Sequence, residues 1–329
     1  MKNSKKIAII GAGSWGTALA VLLGEKGYDV ILWARRKELA QEINRRRENS
    51  QYLKGIALPH SVMATSAMEE AAKSELVIFA VPSEFLRRTA NAFSRHMQKG
   101  AVALHVVKGI EFGTGKLMSQ VLEEELGKSV KISALSGPNH AEEVARKLPT
   151  ATVIASRDIR ISIELAGIFN TKSFKAYPLD DVKGVEICGA VKNIVAIAMG
   201  VCDGLNFGDN AKASILTLGL SEMSILARSL GAKRETCYGL AGVGDLVATC
   251  YSLHSRNRFV GEQLAKGKSR EQIGKEMHGM IAEGIANTHS IYDLCRKNNI
   301  NTPLITHAYK VLYGKMDLRK AIDELLNII

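Results

Sequence analysis

The residue pattern predicts an α/β domain followed by an all-helical one, and three observations carry that reading. The first half alternates short β-branched runs with amphipathic stretches, as a parallel sheet covered by helices requires. A glycine-rich turn joins the first of these runs to the first helical stretch. From about Asp181 strand signals thin out and long helical stretches continue to the C-terminus. The change puts a boundary near Gly184, giving domains 1–184 and 185–329, and a chain of 329 residues has material for two such cores.

Taken in order, Ile7, Ile9 and Ile10 make a first strand that ends at Gly11, and TALAVLLGEKG reads as the helix after it. Val30 to Trp33 is the second strand. Leu76 to Val81 is the third, stopped by Pro82, with Ser83 placed to cap the next helix. Val102 to Val107 and Ile132 to Leu135 follow, the latter running into Ser136-Gly137-Pro138. Thr152 to Ala155 and Phe174 to Tyr177 flank a helix at 159–169, and residues 185–204, 211–230 and 283–298 are the clearest helices of the second half.

The first turn reads GAGSWG, with Gly11, Gly13 and Gly16 in G-x-G-x-x-G spacing. Gly11 permits a tight turn out of the strand, and Gly13 lets a pyrophosphate approach the backbone. Gly16 lets the helix pack close, its N-terminal amides facing the phosphates. A strand before and a helix after make this a dinucleotide turn of Rossmann type rather than a plain structural one. Lys2, Lys5 and Lys6 ahead of an apolar stretch ending Ala18-Leu19-Ala20 also resemble a secretory signal, but three glycines interrupt the apolar run that a signal needs.

Composition narrows the classes. Hydrophobic residues make up 46% and charged ones 23%, and no uninterrupted apolar stretch reaches membrane-span length. Five cysteines without a C-x-x-C pair, mostly in apolar surroundings, suit buried thiols in a reducing cytoplasm, and no metal site is expected. The formal charge of +11 is compatible with nucleic acid or with small anionic ligands. Basic residues are spread out, without aromatic interleaving or a zinc or RNA-recognition signature, which favours phosphorylated small molecules and no nucleic acid.

Beyond the second strand, where an acid would take the adenine ribose, the chain offers Ala34, Arg35 and Arg36. Two arginines suit a 2′-phosphate, so NADP(H) is preferred with NAD(H) possible; a solvated basic turn is the alternative. Lys108 follows a strand end and either reaches into the ligand crevice or snorkels at the surface. Lys192 and Asn193 interrupt an otherwise apolar helix. If buried, Lys192 acquires a lowered proton affinity and suits acid/base work; an exposed face is the alternative. Asp245 ends a glycine-rich GLAGVGD run as an N-cap or as the partner of a buried lysine. In Ser255-Arg256-Asn257-Arg258, arginines in a helix first turn oppose its dipole, a conflict that a bound phosphate relieves. Glu283 is a weaker signal, read equally as a helix-start acid.

Together these segments resemble the bacterial NAD(P)-dependent glycerol-3-phosphate dehydrogenases. The matching stretches are GAGSWGTALA (11–20), FAVPS (79–83), KGIE (108–111), SGPNHAEEVA (136–145), AVKNIVAIAMG (190–200), DGLNFGDNAKA (203–213), GLAGVGDLVATC (239–250) and SRNR (255–258), in the family's order. The resemblance implies a Rossmann-type domain plus an all-α domain of 6-phosphogluconate-dehydrogenase-like fold. It implies reversible reduction of dihydroxyacetone phosphate to sn-glycerol 3-phosphate for glycerophospholipid synthesis, in a cytoplasmic homodimer without integral membrane association. Lys192 matches the acid/base lysine, Lys108 a lysine touching cofactor and substrate, and Asp245 a substrate-contacting acid. Ser255, Arg256 and Asn257 match the substrate-binding SRN, with Arg256 also touching cofactor. Ser14, Trp15, Arg35, Tyr52, Ala141, Ile281 and Glu283 fall at cofactor positions and Gly137 at a substrate position. Three residues depart: Asn139 stands for a usual Ser or Thr at a substrate position, Val107 for a small hydroxyl residue, and Leu218 for a common arginine. The competing readings are a two-domain reductase of hydroxy or sugar acids, in which SRNR and GLAGVGDL are not expected, and a non-catalytic nucleotide sensor or nucleic-acid binder.

Overall fold

The computed structural model describes residues 5–277, 280–314 and 316–328. The chain divides into two compact units: Met1–Val107 with Met118–Val182, and Lys108–Leu117 with Lys183–Ile329. The second unit therefore takes a ten-residue segment out of the α/β half, which a single boundary near Gly184 leaves out. Ile110 and Leu117, bridged to each other, are buried in the second unit's core, so the segment follows its apolar contacts rather than its place in sequence.

The first unit runs β1 (Lys6–Ile10), α1 (Ser14–Glu25), β2 (Asp29–Trp33), α2 (Lys37–Arg46), β3 (Val62–Thr65), α3 (Met68–Ala72), β4 (Leu76–Phe79) and α4 (Ser83–Ser94). After these come β5 (Val102–His105), α5 (Met118–Leu126), β6 (Lys131–Ser136), α6 (Ala141–Ala145), β7 (Thr150–Ser156), α7 (Ile159–Phe169) and β8 (Phe174–Leu179). One eight-stranded sheet results, in the order β3-β2-β1-β4-β5-β6-β7-β8. The two-residue strand period sorts β1 cleanly. Ile7 and Ile9 pack with Val30, Leu32, Leu19 and Leu23 on one face, and Ala8 and Ile10 with Phe79, Leu86 and Phe93 on the other. Burial on both faces explains why β1 and β4 read as unbroken apolar runs.

Two features departed from the sequence pattern. β3 escaped notice because only Val62 and Thr65 of its four residues are β-branched, and it is held at the sheet edge by pairing to β2. The sheet is also not wholly parallel, since β7 runs antiparallel to β6. Residue composition carries no signal for strand direction. A smaller difference concerns Ser83, which is the first residue inside α4, with Pro82 at the cap.

The second unit is helical: α8 (Val182–Gly204), α9 (Asp209–Ser229), α10 (Arg234–Tyr238), a single π-helical turn (Leu240–Gly244), α11 (Asp245–Tyr251), α12 (Arg256–Ala265), α13 (Arg270–Glu276), α14 (Glu283–Lys297), α15 (Pro303–Tyr313) and α16 (Leu318–Leu326). α8 has the length and, at 1.7, the mean hydropathy to cross a bilayer, but its apolar window is wholly buried. It is the central core helix, with Ile187, Val191, Ile194, Val195 and Cys202 inaccessible to solvent. Cys188, Cys202, Cys237, Cys250 and Cys295 are all buried. Among the described residues no cluster of His, Cys, Asp or Glu is arranged to hold a metal ion.

Candidate functional site

In the first unit the glycine turn is built as its spacing demands. Gly11 has φ of +121°, and a Cβ there would lie 2.5 Å from the Ala80 carbonyl oxygen. A Cβ at Gly16 would lie 2.0 Å from the Gly11 carbonyl oxygen, so the turn and α1 touch backbone to backbone. Gly13, by contrast, faces open space, and it caps α1 with no side-chain acceptor. The first α1 amides, beginning at Ser14, are thus donors without a capping side chain, at the positive end of a twelve-residue helix. Bare backbone, room at the middle glycine and a helix N-terminus fit the pyrophosphate of a dinucleotide.

Asn49 is a member of this turn that sequence reading missed. It is buried, and its Nδ2 donates to the Ala12 carbonyl (2.9 Å) and to Thr17 Oγ1 (2.8 Å), tying the turn to the start of α1. Only the fold brings position 49 here; no local motif marks it. Arg35 and Arg36, after β2, are both exposed. Arg36 donates to Gln51 Oε1 at 2.5 Å, and Arg35 makes no ion pair among the described residues. Trp15 is half-buried and packs on the cluster of Ala18, Leu53, Ala141 and Ala145, while Tyr52 packs on the larger core that also takes Trp15. Gly137 (φ +138°) and Asn139 both meet Thr152: a Cβ on Gly137 would lie 2.8 Å from its Oγ1, to which the Asn139 amide donates at 3.2 Å.

The second unit gathers the chemistry. Lys192, halfway along α8, is buried, and its ammonium donates to Asp245 Oδ1 (2.9 Å) and Thr249 Oγ1 (2.6 Å). Lys108 Nζ donates to the other oxygen, Asp245 Oδ2, at 2.8 Å. Asp245 is the first residue of α11, and Thr249 stands one turn further along the same helix. One carboxylate thus holds two ammonium groups, leaving the cluster one positive charge in excess. Burial alone would raise the Asp245 carboxyl, but Lys108 and Lys192 beside it hold it below the usual carboxylate range. For Lys108, burial outweighs Asp245 and, with Lys192 repelling, brings the ammonium down to about 8.

Ser255 is the N-cap of α12, its Oγ accepting from the Arg258 amide at 3.2 Å. The two arginines of SRNR differ. Arg258 is ion-paired to Asp203 (2.7 Å) and Glu262 (2.9 Å), and Asp203 also takes Lys212 at 2.9 Å. Arg256 is exposed, with no ion pair among the described residues. The DGLNFGDNAKA stretch therefore supplies Asp203, the carboxylate that anchors the second arginine, and Lys212, a second cation on that carboxylate. Asn257 is buried: its Oδ1 accepts from the Gly284 amide and its Nδ2 donates to Asn193 Oδ1, both at 2.9 Å. Asn193 in turn donates to the Lys108 carbonyl at 3.4 Å. Glu283 opens α14 next to Gly284, with Ile281 half-buried just before it. Leu218 packs against the helical core and Val107 is buried in the first unit, so both departures from the family pattern sit in apolar surroundings.

Two family models match the chain: the NAD-dependent glycerol-3-phosphate dehydrogenase N-terminus over residues 6–162 and its C-terminus over residues 181–323. Among curated proteins, the glycerol-3-phosphate dehydrogenase [NAD(P)+] of Pelodictyon phaeoclathratiforme is 45% identical over 323 residues, 97% of each chain. That of Chlorobium limicola is 46% identical over 324 residues, again 97% of each. Among solved structures, glycerol-3-phosphate dehydrogenase from Coxiella burnetii superposes with a TM-score of 0.94 at 37% identity, covering 98% of both chains. A ketopantoate reductase from Ralstonia eutropha, 19% identical with a TM-score of 0.62 over 98% of this chain and 99% of its own, shares the fold alone. The architecture is that of the 6-phosphogluconate-dehydrogenase-like reductases.

Proposed function

The chain belongs to the NAD-dependent glycerol-3-phosphate dehydrogenase family, and we propose that it reversibly reduces dihydroxyacetone phosphate to sn-glycerol 3-phosphate, supplying the backbone for glycerophospholipid synthesis. The observation that carries this reading is the buried carboxylate of Asp245 shared by Lys108 and Lys192. Reduction of a ketone places negative charge on its oxygen, and a site with one excess positive charge, screened from water, is suited to receive it. Lys192 donates the proton to that oxygen, and Lys108 stabilises the charge before the proton arrives. Asp245 aims both ammonium groups and favours the charged form of Lys108. Thr249 holds Lys192 from a further side.

Ser255, Arg256 and Asn257 take the substrate phosphate at the α12 N-terminus, Arg256 supplying the charge that Arg258 has already spent on Asp203. Gly137 and Asn139 match the family's further substrate positions. The glycine turn of Gly11, Gly13 and Gly16 receives the dinucleotide with Ser14, Trp15, Tyr52 and Ala141, and Lys108, Arg256, Ile281 and Glu283 match the family's further cofactor positions. When bound, that cofactor supplies the hydride. Exposed Arg35 and Arg36 support a preference for the 2′-phosphorylated form, NADP(H), with NAD(H) accepted. We assign the enzyme to the cytoplasm as a homodimer.

The test is steady-state reduction of dihydroxyacetone phosphate with NADPH and NADH in parallel, for the native chain and Lys192→Ala. The variant should lose turnover by about 10³-fold or more while its NADPH affinity stays near the native value. Native-like turnover in Lys192→Ala would remove the proton-donor role. Turnover of a hydroxy acid in preference to the phosphorylated ketone would overturn the substrate assignment.

A further inference from the structure

We propose that Asn287 is a positioning residue for Lys108: its amide holds the Lys108 backbone carbonyl and so fixes where that side chain meets Asp245. Asn287 lies on α14 and is fully buried. Its Nδ2 donates to the Lys108 carbonyl at 3.0 Å and to the Ala190 carbonyl at 3.4 Å. Ala190 precedes Lys192 by two residues on α8. One amide group thus joins the backbones of the two lysine-bearing segments. Its orientation is forced, because two carbonyl oxygens facing the same group require a donor. The Oδ1 of Asn287 has no protein partner among the described residues, a penalty that an apolar side chain filling the same space would avoid.

Within the segment that carries Lys108, the Glu111 amide donates to the Lys116 carbonyl, the Gly115 amide donates to the Glu111 carbonyl, and Ile110 bridges Leu117. The tip is held by the Phe112 ring, 4.9 Å from His289, two residues along α14 from Asn287. Asn193, oriented by Asn257, reaches the Lys108 carbonyl from the other side at the longer 3.4 Å. A lysine ammonium follows its own Cα, so a carbonyl gripped from α14 sets the approach of Nζ to the carboxylate. The charged groups facing that ammonium are Asp245, which favours it, and Lys192, which opposes it.

The proposal rests on Lys108 acting in the reduction described above, and its test includes a readout independent of turnover. Asn287→Ala removes both donated bonds, and Asn287→Asp keeps the shape but turns acceptors toward the two carbonyls. Each is compared with the native chain in thermal unfolding, NADPH titration and dihydroxyacetone phosphate reduction across a pH series. The Lys108 amine is also titrated directly by NMR after reductive ¹³C-methylation, its signal assigned through Lys108→Arg. In a folded variant, kcat/KM should fall about 10- to 100-fold while NADPH affinity holds within about twofold. Weaker contact with Asp245 should move the Lys108 titration down by roughly half a unit or more. A folded variant with an unmoved Lys108 titration overturns the proposal, whatever its rate. So does failure of both variants to fold, which would assign Asn287 to stability alone. Absence of ketone reduction by the native chain would instead overturn the functional reading, and the NMR titration would still decide the role of Asn287.

Discussion

The two units prepare their ligand-binding surfaces in opposite ways. In the first, the site is made by leaving side chains out: Gly11 and Gly16 bring backbone against backbone, and Gly13 leaves room in front of a helix N-terminus. In the second, it is made by putting charged side chains in, two ammonium groups sharing one buried carboxylate. A site of backbone dipoles costs little to keep and tolerates no bulk. One of buried charges carries a large desolvation penalty and tolerates no loss of a partner. On the proposed reading, the first arrangement receives the cofactor and the second receives the charge that develops on the ketone oxygen.

The largest effect expected from this contrast comes from Asp245→Asn. The substitution keeps the shape but leaves Lys108 and Lys192 facing each other without the intervening charge. Removing one partner of a buried ion pair costs about 3–5 kcal/mol, so denaturant unfolding should show a loss of that order. Turnover should fall by about 10³-fold or more, because neither ammonium is then both charged and aimed. NADPH titration should show the first unit still competent. If stability and turnover both hold, the carboxylate is not the hub that its distances indicate.

Next in size is a pair of substitutions in the glycine turn. Gly16→Ala sets a Cβ 2.0 Å from the Gly11 carbonyl oxygen, a backbone atom that cannot rotate away. It should cost about 3 kcal/mol of stability as well as cofactor binding. Gly13→Ala meets nothing within 4 Å. Its stability change should stay within about 1 kcal/mol. NADPH affinity should nonetheless drop about tenfold, the equivalent of 1.4 kcal/mol, because the methyl group occupies the approach of the pyrophosphate. Thermal unfolding beside fluorescence titration separates the two. Equal effects on stability at both positions would erase the distinction between a glycine needed for packing and one needed for a ligand.

The same contrast explains what could be read before the fold was known. The glycine turn is local: strand, turn and helix follow one another within twenty residues, so Gly11, Gly13 and Gly16 declare themselves by spacing. The lysine cluster is not local. Lys108 and Asp245 are 137 residues apart in sequence, and Lys192 and Asp245 are 53 apart. Each residue was recognisable as unusual, Lys192 by interrupting an apolar helix and Asp245 by following three glycines, but their pairing appears only once the helices pack. Asn49 and Asn287 carried no signal at all. A buried amide serving distant backbone carbonyls looks in sequence like any surface asparagine. The transfer of Lys108–Leu117 to the helical unit was hidden for a related reason: the segment has no element of its own beyond one bridge, and only its apolar partners tell where it belongs.

The mildest test uses pH to sharpen the charged side of the comparison without altering a residue. Lys108 is held down to about 8 by burial and by Lys192, against the pull of Asp245. Reduction needs the ammonium form, which is complete well below that value and lost above it. With NADPH saturating, kcat/KM for dihydroxyacetone phosphate should therefore be level on the acid side of 8 and decline on the alkaline side, approaching tenfold per pH unit. The glycine turn has no titrating side chain, so NADPH affinity should not follow the same curve. Lys108 stabilises the oxygen charge of the same transition state in both directions, so oxidation of sn-glycerol 3-phosphate should show the same alkaline loss. If the forward limb instead lies near the ordinary lysine value of 10.5, Asp245 offsets the burial of Lys108, which then keeps its charge across the neutral range.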